Sequence, residues 1–306
     1  MKMIPLGASG LNVPAIGVGC MRVNKADKKD LPAFIETCLE CGANFFDHAD
    51  IYGRGECETL FAQAVGMKPS VREKLILQSK CGIVPGVMYD LSKEYILKAV
   101  DGILKRLDTD YLDVLLLHRP DALMEPLEVA EAFDRLEASG KVRYFGVSNQ
   151  RPLQIQLLMK YVRQPLVADQ LQFSMTNSQM VAQGMEVNML TDGAVDRDGG
   201  ILDFCRVNDM TVQAWSPFQY GLFSGVFLGN EKFGELNRVI GELAEKYQVS
   251  DTAIVTAWMM RHPAGMQMIT GTMNVERIRQ ICQASDMVLS REEWYRLYLA
   301  AGHILP

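Results

Sequence analysis

Short apolar runs alternate with stretches of helical periodicity eight times along this chain, and that alternation restricts the fold more than any other feature. The apolar runs lie at 15–19, 43–46, 74–78, 111–117, 142–147, 167–171, 211–214 and 267–269. They are continuous rather than alternating in polarity, as strands buried on both faces should be. Between them, helices are predicted at 27–41, 57–65, 92–107, 127–139, 152–161, 200–208, 231–247 with 251–261, 275–284 and 291–300. Ser92 is a suitable N-cap, with Glu94 in the first turn. Gly42 and Gly140 suit helix ends. Crossover helices imply parallel pairing. Eight such units in 306 residues predict a (β/α)8 barrel with extra C-terminal helices. A doubly wound open sheet is the structural alternative. Gly7, Gly10 and Asn12, set between short apolar stretches, suit a β-hairpin before the first barrel strand. No Pro/Gly/Ser-rich linker divides the chain, so a single domain over 1–306 is expected.

Composition narrows the function. A net charge of −6 without a long basic run argues against nucleic acid and anionic membranes as partners. No apolar stretch reaches the length of a membrane span or of a signal-peptide core. Seven dispersed cysteines form no disulfide framework and point to a reducing, cytoplasmic setting. Cys38 and Cys41 fall within a helical pattern, and without a second pair they do not read as a zinc or redox site.

In a barrel, the residues that follow the strands share one rim. This chain places Asp47 and Tyr52 after the second strand, Lys80 after the third and His118 after the fourth. Ser148 and Asn149 follow the fifth, Gln170 the sixth, Trp215 and Ser216 the seventh, Gly271 and Thr272 the eighth. A carboxylate, a phenol, an amine and an imidazole at three consecutive strand ends form a chemical set. A phenol alone is a weak acid, with a reference pKa of about 10. Lys80 beside Tyr52 would stabilise the phenolate and lower that value, and Asp47 would hold the amine charged. His118 would hydrogen-bond a substrate oxygen or relay a proton. Such a group can protonate a carbonyl oxygen as hydride arrives, and hydride requires a nicotinamide cofactor.

At these residues the sequence resembles the aldo-keto reductase family, essentially from end to end. The resemblance rests on Asp47-His48-Ala49-Asp50-Ile51-Tyr52-Gly53, Leu117-His118-Arg119-Pro120, Gly146-Val147-Ser148-Asn149 and Trp215-Ser216-Pro217. The first of these stretches is similar to that of bacterial members of the YdhF type. The resemblance implies NADPH-dependent reduction of an aldehyde or ketone, with NADH use left open and a small-molecule carbonyl as partner. It implies a catalytic tetrad of Asp47, Tyr52, Lys80 and His118, with Tyr52 as general acid. Ser148, Asn149 and Gln170 would then hold the nicotinamide carboxamide, and Trp215 would stack on the ring. Gly19, Cys20 and Met21 would flank that end, with Ser216, Pro217 and Phe218 beside it. Gly271, Thr272, Arg277 and Gln280 would serve the adenosine 2′-phosphate end. Asn274 stands where many members have a basic residue, Ile281 where many have Asn, and Gln280 where Glu is usual. His48 replaces the commoner Thr and is given no role.

Two other classes fit a barrel with a lysine at a strand end. One is a Schiff-base lyase, which needs an unprotonated Lys80. The other is a nicotinamide-binding regulatory subunit with little turnover, similar to the potassium-channel β-subunits. Substrate choice should lie in the loops 21–26, 83–90, 119–125, 174–194 and 217–230. The oligomeric state is not legible. Cys81, next to Lys80, reads as inert packing.

Overall fold

Eight parallel strands close into a barrel in the computed structural model, which describes residues 1–305. They are β1 (Ile16–Gly19), β2 (Phe45–Asp47), β3 (Ile76–Cys81), β4 (Leu112–Leu117), β5 (Val142–Ser148), β6 (Leu166–Gln172), β7 (Thr211–Trp215) and β8 (Gln267–Thr270). The ring closes where Met268, Ile269 and Thr270 of β8 pair with Ile16, Gly17 and Val18 of β1. Closure leaves no free sheet edge. Helices return the chain outside, and their buried faces form one apolar layer with the outward-facing strand residues. The Lys93–Leu107 helix starts as expected, with Ser92 Oγ accepting from Tyr95 N–H at 3.3 Å. On the C-terminal flank, Trp258 and Trp294 stack at 5.0 Å and each indole N–H donates to the other's backbone carbonyl.

The hairpin of Met3–Pro5 and Asn12–Pro14 caps the bottom of the barrel. Gly7 N–H donates to Thr211 Oγ1 at 2.8 Å, and that hydroxyl donates to Pro5 O at 3.0 Å. Gly7 has φ +49°, and a Cβ there would lie 2.3 Å from Val167 O, so only glycine fits this close approach.

Several boundaries differ from the sequence reading, for physical reasons. β3 extends to Cys81, so Lys80 lies within the strand rather than after it, and β6 extends to Gln172, with Gln170 inside it as the bounds of the run 167–171 imply. An apolar pattern breaks at Gln78 and Gln170 because these side chains enter a polar barrel interior. The first outer helix begins at Leu31 rather than 27, since Asp27 turns back to accept from Lys29 N–H. The loop at 83–90 contains a small antiparallel pair, Ile83–Val84 with Met88–Tyr89. The irregular stretch after β6 contains an unanticipated helix, Gln179–Met185.

Amides fill the interior below the rim. Gln78 and Gln213 donate to each other's Oε1 at 2.8 and 3.0 Å. Gln213 also donates to Gln267 Oε1 at 2.8 Å, and Gln267 donates to Pro14 O at 2.9 Å. Gln170 joins by donating to Gln213 Oε1 at 3.1 Å. Each hydrogen bond nets about 1 kcal/mol, but stranding buried partners costs about 1–3 kcal/mol per group. Gln213→Leu, similar in volume, is therefore expected to lower unfolding free energy by about 3 kcal/mol. Urea denaturation would show this, and a loss no larger than that of exposed Gln156→Leu would mean the lattice adds nothing.

Candidate active site

Asp47, the last residue of β2, is 2 % exposed, and both oxygens of its carboxylate are hydrogen-bonded. Oδ1 accepts from Gln78 at 2.6 Å and from Gln170 at 3.0 Å, and Oδ2 accepts from Lys80 at 2.8 Å. Lys80, in β3, is fully buried. Its ammonium has three N–H donors. They go to Asp47 Oδ2 at 2.8 Å, His48 O at 2.8 Å and Tyr52 Oη at 3.2 Å. Tyr52 opens a short turn, Tyr52–Gly55, that continues into the Glu56–Val65 helix. Its oxygen already accepts from Lys80, so its own hydrogen is free to point elsewhere. The His118 ring stands edge-on to Tyr52, with centroids 6.1 Å apart. The four residues predicted as a set are thus brought together.

The protonation states follow from this packing. Burial works against the charged amine of Lys80, but Asp47 and Tyr52 outweigh it and hold the amine above its usual value. A charged amine cannot form a Schiff base, which argues against the lyase class. The phenol of Tyr52 was expected to be lowered by Lys80. Its pKa is instead raised: burial is the largest effect, Asp47 adds to it, and Lys80 pulls down without prevailing. The phenol is therefore loaded with its proton at neutral pH. Burial, with Lys80 and Arg119 nearby, keeps His118 neutral, well below the usual imidazole value. The His48 ring lies 4.6 Å from Phe61, buried and driven to a pKa of about 3 by burial and by Lys80. Its carbonyl, not its ring, serves Lys80. Burial also raises the Cys81 thiol well above its usual value, consistent with inert packing.

A second group lies along the tops of β5, β6 and β7. Ser148 Oγ donates to Gln170 O at 2.9 Å, Asn149 Nδ2 donates to Ser148 Oγ at 2.7 Å, and Trp215 Nε1 donates to Asn149 Oδ1 at 3.2 Å. Asn149 and Ser216 have φ +57° and +53°, which mark sharp exits from β5 and β7. Both amide hydrogens of Gln170 are committed, to Asp47 and Gln213, and its Oε1 remains able to accept. Pro217 is buried, and Phe218 O accepts from Phe227 N–H at 3.1 Å, which folds the following loop back. Exposed Phe223 of that loop lies 6.4 Å from the Trp215 ring. At the end of β1, Gly19 leads into the turn Cys20–Lys25, with Cys20 buried and Met21 exposed.

Beyond β8, Gly271, Thr272, Asn274 and Arg277 border a cavity of about 360 Å³. Arg22 and Lys25, from the turn after β1, border it too, and Arg22 donates to Gly271 O at 3.4 Å. Sequence reading assigned that turn to substrate loops and missed these two cations, which become neighbours of Arg277 only because β1 pairs with β8. Asn274 accepts from Arg277 N–H at 2.8 Å as the helix N-cap, which explains an amide at a position often basic. Gln280, expected at this end, donates instead to Glu276 at 3.1 Å and lies outside the cavity lining. The glutamines Gln78, Gln213 and Gln267 were also missed. Their only sequence signal is a polar residue in an otherwise apolar run.

A closed parallel barrel with this rim is the frame of a carbonyl oxidoreductase. The chain belongs to the Aldo/keto reductase family, whose model matches residues 15–299. It is 37% identical to the oxidoreductase YcsN of Bacillus subtilis, over 100% of both chains. It is 35% identical to Oxidoreductase YdhF of Escherichia coli, covering 91% of this chain and 90% of that one. It is 33% identical to a 6-dehydroglucose reductase of Novosphingobium aromaticivorans, covering 98% and 96%. Among solved structures, the thermostable aldo-keto reductase Tm1743 superposes with a TM-score of 0.78 at 27% identity, over 98% of this chain and 100% of that chain. Family members use nicotinamide cofactors and reduce carbonyls. No helix among the described residues is long and apolar enough to cross a membrane.

One buried carboxylate near the site has no satisfied oxygen. Asp169, beside Gln170 in β6, is fully buried and neither oxygen has a hydrogen-bond partner. Burial pushes its carboxyl up to about 8; the backbone N–H groups of Gln150 and Asn149 pull down without prevailing, and Asp198 adds to the rise. Unfolded, it would titrate near a pKa of about 4. Between these values the folded chain keeps a proton that the unfolded chain releases, so this group costs stability progressively as pH rises from about 4 to 8. Asp169→Asn should therefore gain more stability over wild type at pH 8 than at pH 5. Parallel melting curves for the two proteins across that range would remove Asp169 as the cause.

Proposed function

We propose that this chain reduces an aldehyde or ketone to an alcohol with NADPH, using Tyr52 as the proton donor. The observation that carries the reading is the geometry of Lys80. Its three donors are spent on Asp47, His48 O and Tyr52 Oη, which fixes the phenol oxygen and leaves the phenol hydrogen to face a substrate. A nicotinamide cofactor, when bound, would supply the hydride. Tyr52 donates its proton to the carbonyl oxygen as negative charge develops there. The resulting phenolate rests against the Lys80 ammonium, which Asp47 keeps charged and in place. Neutral His118 offers one N–H to the same oxygen and orients it. A preset cation at the site of developing charge needs no reorganisation during reaction.

The remaining residues fit the cofactor. Ser148, Asn149 and the Oε1 of Gln170 would hold the carboxamide, and Trp215, its ring held by its bond to Asn149, would stack on the nicotinamide. Arg277, Arg22, Lys25 and Thr272 border the cavity suited to a 2′-phosphate, which supports NADPH over NADH. Gly19, Cys20, Met21 and the segment Ser216–Pro217–Phe218 would flank the nicotinamide end.

Tyr52→Phe is expected to lower kcat by about 10²–10⁴-fold while leaving the NADPH dissociation constant within about twofold. Stopped-flow absorbance and cofactor fluorescence would measure the two quantities, and undiminished turnover would remove Tyr52 as the acid. The carbonyl panel should begin with hydroxylated aldehydes, given the substrate in the name of the Novosphingobium relative. Arg277→Ala and Arg22→Ala should each weaken NADPH by about tenfold and leave NADH unchanged. A parallel loss for both cofactors would mean that these arginines do not read the 2′-phosphate.

A further inference from the structure

Outside the barrel, four segments line a second cavity of about 380 Å³, open to solvent, which shares no residue with the catalytic set or the cofactor segments. They are the helices Gln179–Met185, Ile201–Val207 and Arg291–Ala300, and the turn at 261–263. A cavity of this size matches a small organic ligand. Its lining has two characters. Met180, Val181, Leu202 and Trp294 form an apolar floor, and Trp294 is held rigid by its stack on Trp258 at 5.0 Å and 5°. Arg206, Arg261 and Arg291 line the same cavity with a single carboxylate, Asp203. That concentration of cations is unexpected in a chain of net charge −6.

The cations are available. Arg206 meets Asp203 at 3.4 Å, both well exposed, which is a weak pairing. Arg291 has no ion-pair partner among the described residues. Arg261 is oriented by its Nε–H donating to Leu289 O at 3.0 Å, and its two Nη atoms make no hydrogen bond within the described residues. His262 Nδ1 accepts from Ala264 N–H at 3.2 Å, so its Nε2 carries the hydrogen. Burial, aided by Arg206, lowers its pKa to about 4 and keeps it neutral. The cavity therefore offers an oriented guanidinium fork, two further cations and a neutral donor above an apolar floor. A guanidinium fork matches a carboxylate in shape and charge. Inorganic anions leave the floor uncovered, and neutral apolar molecules desolvate the arginines without return.

We propose that this cavity is a binding site for a small organic carboxylate with an apolar body, its carboxylate on Arg261 and Arg291 and its body over Leu202 and Trp294. The site shares no residue with the catalytic tetrad, although its helix Gln179–Met185 belongs to the segment 174–194 expected to shape substrate choice.

Isothermal titration calorimetry of the full-length protein with octanoate, octanamide and inorganic phosphate tests it. Octanoate should bind at one site, with octanamide and phosphate each weaker by about tenfold or more. Arg261→Ala should weaken octanoate by about tenfold, and Leu202→Trp, which fills the floor, should abolish its binding. NADPH affinity should be unchanged in both. If loss of the Leu289 contact unfolds Arg261→Ala, exposed Arg291→Ala carries the same test. Octanoate that fails to bind, that binds no better than octanamide, or that ignores all three substitutions overturns the proposal. The last result would place octanoate at the catalytic rim instead.

Discussion

A charged amine with no exposure to solvent governs this structure. Lys80 lies inside the barrel wall, where an unpaired ammonium would cost several kcal/mol. Three acceptors at 2.8, 2.8 and 3.2 Å make that position tenable. Removing one partner of such a pair costs about 3–5 kcal/mol, because the other is left buried and uncompensated. Asp47 is held just as tightly, with two amides and the ammonium on its two oxygens. The pair can move only if the walls of β2 and β3 move. The third contact reaches Tyr52, so the phenol inherits the rigidity of the barrel, although it sits on a turn.

The glutamines extend that constraint across the interior. Gln78 touches both Asp47 and Gln213, and Gln170 does the same from the opposite wall. Five strands, β2, β3, β6, β7 and β8, are thereby tied to one carboxylate. An apolar filling would pack as densely and would give Asp47 no donors. Its charge would then be held by Lys80 alone, and the ammonium that places the phenol would rest on one ion pair and the His48 carbonyl. Polar filling exchanges some hydrophobic gain for a preset site, a trade open to a barrel because its interior is closed to water.

This division explains what the sequence revealed. Period and run length gave the eight strands, the closed fold and the four polar residues at three consecutive strand ends, because those signals are local. The strand end was misread at Lys80, where inward polar residues interrupt an apolar run. Arg22 was invisible as a neighbour of Arg277 because their proximity depends on the closure of β1 against β8. The direction of the Tyr52 shift was also beyond reach. Sequence shows that a cation is near, but only packing shows that burial outweighs it. Gln280 has a local partner that no strand-end pattern reveals: its helix offers Glu276 one turn back.

The sign of the Tyr52 shift has a chemical consequence. A phenol lowered toward neutrality would spend part of its time as phenolate and could not then protonate a carbonyl. Here burial keeps the proton on, while Lys80 stands 3.2 Å away to receive the negative charge once the proton leaves. The two effects act on different states: burial sets the ground state, and the ammonium sets the energy of the product of proton transfer. Moving Tyr52 to a wetter place would lower its pKa and weaken the attraction to Lys80 together. The packing around this partly buried phenol is therefore part of the acid, and the fold is inseparable from the proposed chemistry.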